Sequence, residues 1–123
     1  MATPYVSSQS STGTCTATVA ASPGVTWNLT SLSVSMAGPT NSPNAKVTVY
    51  DGAVGGTVIF AAFLGGTRDS VGSVGIIQEI PLPRDALDRP CLQGTPGNAM
   101  NIQVVGTGAN AVSINARFSD NLP

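Results

Sequence analysis

The sequence contains no histidine and very few charged residues. Its 123 residues include five Lys or Arg and six Asp or Glu, which makes 9% charged residues and a formal net charge of −1. Without histidine, neither a Ser-His-Asp nor a Cys-His catalytic arrangement can form, and the usual general base at neutral pH is missing. Because Lys and Arg do not cluster, the chain lacks the electrostatic footprint of nucleic-acid or anionic-membrane binding. We therefore expect no enzymatic activity, no nucleic acid partner and no membrane partner.

Long hydrophobic runs are also missing. The longest apolar stretch, "VIFAAFL", is far shorter than the roughly 20 residues that a membrane-spanning helix needs. The first twenty residues contain neither a basic segment nor an apolar run of secretory length. We expect neither an export signal nor a transmembrane segment.

Cysteine is scarce, with Cys15 and Cys91 as its two positions. Two thiols and scattered acids do not supply the roughly four ligands of a structural zinc site. In a chain without an export signal, disulfides are uncommon, so we expect both cysteines to be reduced, inward-facing core residues. We also expect no cofactor.

The hydrophobic pattern that is present repeats every two residues, which indicates β-strands. Seven segments show it: "TCTATVA", "VTWNLTSLSVSM", "AKVTVY", "GTVIFAAFL", "GIIQEIPL", "AMNIQVV" and "NAVSINARF". The second segment changes phase near Thr30, which predicts a β-bulge. Trp27 alternates inward, which favours a core position over a sugar-stacking platform. The fourth segment is apolar on both faces from Val58 to Leu64, which predicts a strand covered on both sides.

The connections are short and rich in glycine, as in "YDGAVGG", "GTRDSVG" and "GTGAN". Such connections are typical of antiparallel hairpins. The one helical candidate, "PRDALDRP", is bounded by proline and permits a single turn. The sequence therefore predicts an all-β fold: an antiparallel β-sandwich, jelly-roll-like, with about seven strands. We expect one domain over residues 15–123, preceded by an extended N-terminal arm over residues 1–14.

The predicted arm is our candidate partner-binding segment. Its polar stretch "SSQSST" cannot bury enough apolar surface to fold alone. Pro4, Tyr5 and Val6 form a proline-stiffened segment with an aromatic and a β-branched side chain, suited to a groove or an open strand edge of a neighbouring subunit. The competing interpretation is a frayed terminus with no role.

Three other features have a functional and a structural interpretation, and we favour the structural one in each case. Asp85 and Asp88 resemble a carboxylate pair or a calcium ligand set, but their spacing fits turn capping with local ion pairs. Glu79 is a candidate isolated general acid, but its alternation fits a solvent-facing strand residue. The glycosylation sequon at Asn28 falls in the middle of a predicted strand.

Three runs of the chain resemble small bacteriophage virion proteins. They are "VTVYDGAVGGTVIFAAFLGG", "GIIQEIPLP" and "LQGTPGNAMNIQVVGTGANAVSINARF". In those proteins a "V-x-V-Y-D-G" strand leads into "G-T-x-[IL]", and the chain ends in a "G-x-G...V-x-[IV]-x-x-x-[FY]" hairpin. The resemblance covers about residues 45–118. It implies a capsid decoration, or cement, protein or another head-associated structural component with a jelly-roll-like fold, and it brings no catalytic residues.

We therefore expect a virion structural protein that binds between major capsid subunits. Binding only to the assembled shell stabilises that shell by mass action. Its expected location is the capsid surface, after assembly in the host cytoplasm. The neutral surface and the doubly apolar strand favour a homo-oligomer, with a trimer favoured by analogy with other decoration proteins. The alternative is a head fibre, tail or baseplate module that recognises a host-surface glycan or protein through its loops.

Overall fold

The computed structural model describes residues 4–10, 14–38, 45–63, 74–105 and 111–120. Within these ranges lie nine strands, and none of the ranges contains a helix that could cross a membrane. The strands are β1 Tyr5–Ser10, β2 Cys15–Val19, β3 Trp27–Gly38, β4 Lys46–Asp51, β5 Thr57–Phe63, β6 Val74–Glu79, β7 Leu92–Gln93, β8 Met100–Val105 and β9 Ala111–Asp120. All seven strands predicted from the sequence are present, as β2 to β6, β8 and β9, so the all-β class is confirmed.

The strands form two antiparallel sheets. The larger sheet has the order β1-β9-β3-β6, with the short β7 also paired to β3, and the smaller sheet has the order β2-β8-β4-β5. The pairs β4–β5, β3–β6, β2–β8 and β1–β9 are therefore nested around one hairpin. This is the strand order of a jelly roll, in which one long antiparallel ribbon folds over into two facing sheets. The predicted jelly-roll sandwich is confirmed.

The hydrophobic core lies between the two sheets and follows the period-two alternation of their strands. Its largest fully buried apolar side chains are Phe118, Leu29, Leu32, Met100, Ile102, Ile114, Val34, Val47, Val49, Val104 and Val112. The buried Trp27 meets the Phe118 ring edge to face, with 6.4 Å between the ring centroids. Its indole N–H donates a hydrogen bond of 3.0 Å to the Ala20 carbonyl, so the polar end of the ring is satisfied. The prediction that Trp27 is a core residue is confirmed.

The predicted bulge near Thr30 is also present. The register of β3 against β9 shifts between Leu29 and Ser31. The extra residue allows both Leu29 and Leu32 to point into the core, although they are three positions apart. The Thr30 hydroxyl donates to the Arg117 carbonyl at 2.9 Å, which stabilises the bulge.

The N-terminal segment differs from the expected arm. Residues Tyr5–Ser10 form β1, which pairs antiparallel with β9 from Tyr5–Arg117 to Ser10–Val112. Val6 packs against the core from this edge strand. The polar composition misled the prediction because β1 is held mainly by backbone hydrogen bonds to β9 and contributes little apolar area. The folded domain therefore begins at β1, before Cys15, while docking of this segment onto a neighbouring subunit stays a prediction.

Asp51, in the "VYDG" stretch, ties the tip of the β4–β5 hairpin to the loop between β7 and β8. Its carboxylate accepts hydrogen bonds from the hydroxyl and the amide N–H of Thr95 and from the Asn98 side chain. These bonds, that of the Thr95 hydroxyl above all, lower the pKa of the Asp51 carboxyl. A Cβ at Gly94 would lie 2.9 Å from Asp51 Oδ1, so glycine permits this close approach. Gly52 follows with φ +95°, which the turn requires.

Deleting residues 2–12 should lower the melting temperature, because the truncated chain loses the β1–β9 pairing and the Val6 contact with the core. We expect a loss of at least about 2 kcal/mol in the free energy of unfolding. Thermal and chemical denaturation followed by circular dichroism measures it. Gln9→Ala, an exposed change on the same strand, should stay within about 0.5 kcal/mol of the wild type. An unchanged melting temperature after the deletion would contradict this prediction and favour the expected N-terminal arm outside the folded domain.

Asp51→Asn should destabilise the fold at neutral pH by about 1–2 kcal/mol, because charge-assisted hydrogen bonds to Thr95 and Asn98 are lost or weakened. The folded-state pKa of Asp51 lies below its ordinary value of 3.8. Its contribution is therefore complete above that value and disappears as the pH falls through the folded-state pKa. Denaturation curves of wild type and variant should converge in acid. Asp88→Asn, which breaks only an exposed ion pair with Arg84, should change stability by less than about 1 kcal/mol.

Candidate docking surfaces

The structure separates the three predicted partner-binding residues. The Pro4 carbonyl accepts a hydrogen bond of 3.0 Å from the Phe118 amide, and Val6 packs against the core. Tyr5 points to the outside and is 56% exposed. Of the three, Tyr5 therefore offers the largest surface to a partner while β1 stays in its sheet.

Tyr5 is fixed on the outer face of the larger sheet. Its hydroxyl donates a hydrogen bond of 2.7 Å to Asn115 Oδ1, which also accepts one from Ser7 Oγ at 3.0 Å. The Arg117 guanidinium carbon lies 5.3 Å from the centroid of the Tyr5 ring, a cation–π contact. Two residues of β9 therefore hold the ring: Asn115 binds its hydroxyl, and Arg117 contacts its face.

The outer face of the smaller sheet carries three exposed large apolar side chains. We call it the small-sheet face; its residues are Thr16 and Thr18 of β2, Asn101, Gln103 and Val105 of β8, Lys46, Thr48 and Tyr50 of β4, and Val58, Ala61 and Phe63 of β5. Phe63 is 69% exposed, Val58 53% and Val105 44%. Lys46, its one charged residue, lies between Val105 and Phe63, with its ammonium 5.8 Å from the Phe63 ring centroid.

β5 stands at the edge of the smaller sheet, and β4 is its one partner among the described strands. The prediction that this strand is covered on both sides is wrong for the single chain: Phe60 and Ala62 pack against the core, whereas Phe63 and Val58 are exposed. Leu64, the last residue of that prediction, lies outside the described residues. The register shift opposite Val49 and Tyr50 leaves Ile59 as an extra residue in β5, and such a bulge hinders uncontrolled edge-to-edge pairing.

The "PRDALDRP" segment forms a turn in place of the predicted single helical turn. An isolated bridge between Arg84 and Pro90 closes it, and Asp88 takes a left-handed φ of +60°, which stops a helix. Asp85 accepts hydrogen bonds from the backbone and the side chain of Arg89, and these bonds lower the pKa of its carboxyl. The preferred interpretation, capping with local ion pairs, is confirmed. Across the described residues, no three His, Cys, Asp or Glu side chains are grouped to hold a metal ion.

The remaining candidate residues from the sequence have mainly structural roles. Glu79 is exposed at the end of β6, as alternation predicts. Asn28 is buried and donates to the Pro90 carbonyl at 3.1 Å, so its side chain is inaccessible to a glycosylating enzyme.

Both cysteines are free thiols. Cys15 is buried as predicted, but Cys91 is partly exposed; it lies directly before β7, and its amide donates to the Pro83 carbonyl.

Comparisons with protein-family models, with curated proteins and with solved structures find no match to this chain. The resemblance to virion proteins therefore stays a prediction based on its sequence motifs. The sequence indicated one strand of the small-sheet face, the run from Val58 that is apolar on both faces, but the rest of this face follows from pairing between strands. Val58 and Phe63 are five positions apart, and they share a face because of the bulge at Ile59.

Proposed function

We propose that this protein is a bacteriophage virion structural protein, a capsid decoration protein that binds between major capsid subunits and stabilises the mature shell. The observation that carries the proposal is the small-sheet face. Three exposed apolar side chains, Phe63, Val58 and Val105, share it with neutral polar groups and one lysine. Such a patch on a chain with 9% charged residues suits permanent contact with other proteins.

The physical advantage of the small-sheet face is its low cost of desolvation. Burying an unpaired charge in an interface costs more free energy than burying threonine or glutamine, whose neutral polar groups can form hydrogen bonds with the partner, and burying apolar side chains favours binding. Lys46 is the exception, and its contact with Phe63 keeps part of its charge compensated when water is removed. Docking through this face would bury the apolar groups at little electrostatic cost.

The jelly roll supports the proposal at the level of analogy. This architecture occurs in viral capsid and lectin domains among others, so the fold alone does not define a function. A decoration protein acts through shape and contact area, and the role needs neither a catalytic group nor a cofactor. We place it on the capsid surface, with assembly in the host cytoplasm and the major capsid protein as partner.

Phe63→Asp should reduce occupancy on capsids at least about tenfold, because it removes the most exposed apolar side chain of the small-sheet face and puts a hydrated carboxylate beside Lys46 in its place. The measurement is co-sedimentation of purified protein with particles assembled without it. The matched control is Gln9→Asp, which adds the same charge to the outer face of the larger sheet. Melting temperatures of both variants verify folding. Equal occupancy for Phe63→Asp and wild type, or a loss confined to Gln9→Asp, would contradict docking through the small-sheet face.

We also propose a homo-oligomer, with a trimer favoured. The open edge of β5 provides a surface that a second copy can cover, which leaves the outward-facing Phe63 and Val58 for the capsid. Light scattering should report a mass well above the 12.3 kDa of one chain. The number of copies on the particle should be divisible by the number of chains in the oligomer. A clean monomer both in solution and on the particle would refute this part of the proposal.

A further inference from the structure

The central strand of the larger sheet presents a row of serines to the outside. In the "SLSVSM" stretch of β3, Leu32, Val34 and Met36 point into the core, so Ser31 and Ser33 point outward. Their side chains are much shorter than those on the flanking strands. The row therefore forms the floor of a trough on the outer face of the larger sheet, opposite to the small-sheet face.

One wall of the trough is built by β9 and β1. Arg117 stands beside Ser31 and Asn115 beside Ser33 in the β3–β9 register. Tyr5 lies over Arg117 and is anchored to Asn115, so the ring is held in a defined position with more than half of its surface exposed. A fixed aromatic ring loses little conformational entropy when a ligand packs on it.

The other wall is Glu79 of β6, which pairs with Ser33 from the opposite side of β3. Because neighbouring strands are about 4.8 Å apart, the β9 and β6 walls stand roughly 10 Å from each other. Glu79 is exposed and forms no hydrogen bond or ion pair with a described residue. Its carboxylate is therefore an acceptor directed at the trough without an internal partner in that part of the chain.

The trough has the size of a small-ligand site. Tyr5, Ser31, Ser33, Glu79, Asn115 and Arg117 line a cavity of about 390 Å³. A second cavity of about 450 Å³ shares Ser31 and Glu79 with the first and continues past Pro81 and Leu82 to Arg84. Both volumes fall in the range of small-molecule sites.

We propose that this trough binds a neutral saccharide, with one hexopyranose ring between Tyr5 and Glu79. A pyranose has an apolar C–H face, which suits the exposed Tyr5 ring, and a rim of hydroxyl groups. Two adjacent hydroxyls can donate to the Glu79 carboxylate, and charge-assisted hydrogen bonds of this kind are the strong ones. The Asn115 amide and the serine hydroxyls supply the further donors and acceptors that hydroxyl groups need.

The same residues disfavour the other ligand classes. An anionic ligand would be repelled by the Glu79 carboxylate, which lines the same trough as Arg117. A protein partner would need apolar anchors, and the floor of the trough consists of serine hydroxyls. The exposed groups are directional hydrogen-bonding groups around one aromatic ring, and this combination matches a sugar best.

The test is a titration of the full-length, ¹⁵N-labelled chain with the methyl glycosides of glucose, galactose and mannose and with N-acetylglucosamine. At least one should cause saturating shifts in the amide signals of Ser31, Ser33 and Asn115. Glu79→Gln should weaken that binding about tenfold or more, because it removes the charged acceptor. Tyr5→Ala should weaken it similarly, and Tyr5→Phe, which keeps the ring, should weaken it less.

Gln9→Ala is the control, since Gln9 lies on the outer face of β1 but outside both cavities. Its affinity should equal that of the wild type. Melting curves identify any variant that fails to fold, and Glu79→Gln keeps the test valid if Tyr5→Ala does fail. The proposal is overturned if no glycoside causes saturating shifts, if the shifts map to the small-sheet face, if only acidic sugars bind, or if Glu79→Gln binds like the wild type.

Discussion

The structure depends on one constraint, the nested antiparallel pairing of the two halves of the chain. The β4–β5 hairpin forms the tip, and the pairs β3–β6, β2–β8 and β1–β9 follow outward from it. Once the register at the tip is set, alternation decides which side chains each strand directs into the core. This explains why Asp51, Gly52 and Gly94 are placed where they are: the carboxylate and the close glycine contact hold the tip against the loop that leads into β8.

Folding the ribbon over gives the protein two outer faces that point in opposite directions. On the face of the smaller sheet, Phe63, Val58 and Val105 are exposed to solvent. The face of the larger sheet carries serines between Tyr5 and Glu79. A chain that attaches to a shell through the first face would direct the second away from it, into the surrounding medium. Attachment and ligand binding can therefore coexist on one small domain, because neither surface competes with the other.

The sequence predicted what local alternation determines and missed what distant pairing determines. The seven predicted strands, the bulge near Thr30 and the buried Trp27 all follow from patterns within a few residues. β1 was missed because its single inward apolar side chain, Val6, is a weak signal and its partner lies at the other end of the chain; Tyr5 and Asn115 are 110 positions apart. Both candidate surfaces are likewise assembled from residues that are far apart in the sequence. Their residues come from separate strands, so neither surface exists as a motif.

The few charged side chains in the described residues are used mainly to fix the structure. Asp51 holds the hairpin tip, Asp85 holds the turn before β7, and Arg117 supports the Tyr5 ring. Few charges are left to repel a neighbouring protein or to retain water on either face, which lowers the cost of bringing another surface into contact. Glu79 departs from this rule because no described residue satisfies its carboxylate. Its place beside a floor of serines explains why we assign it to a ligand and not to the framework.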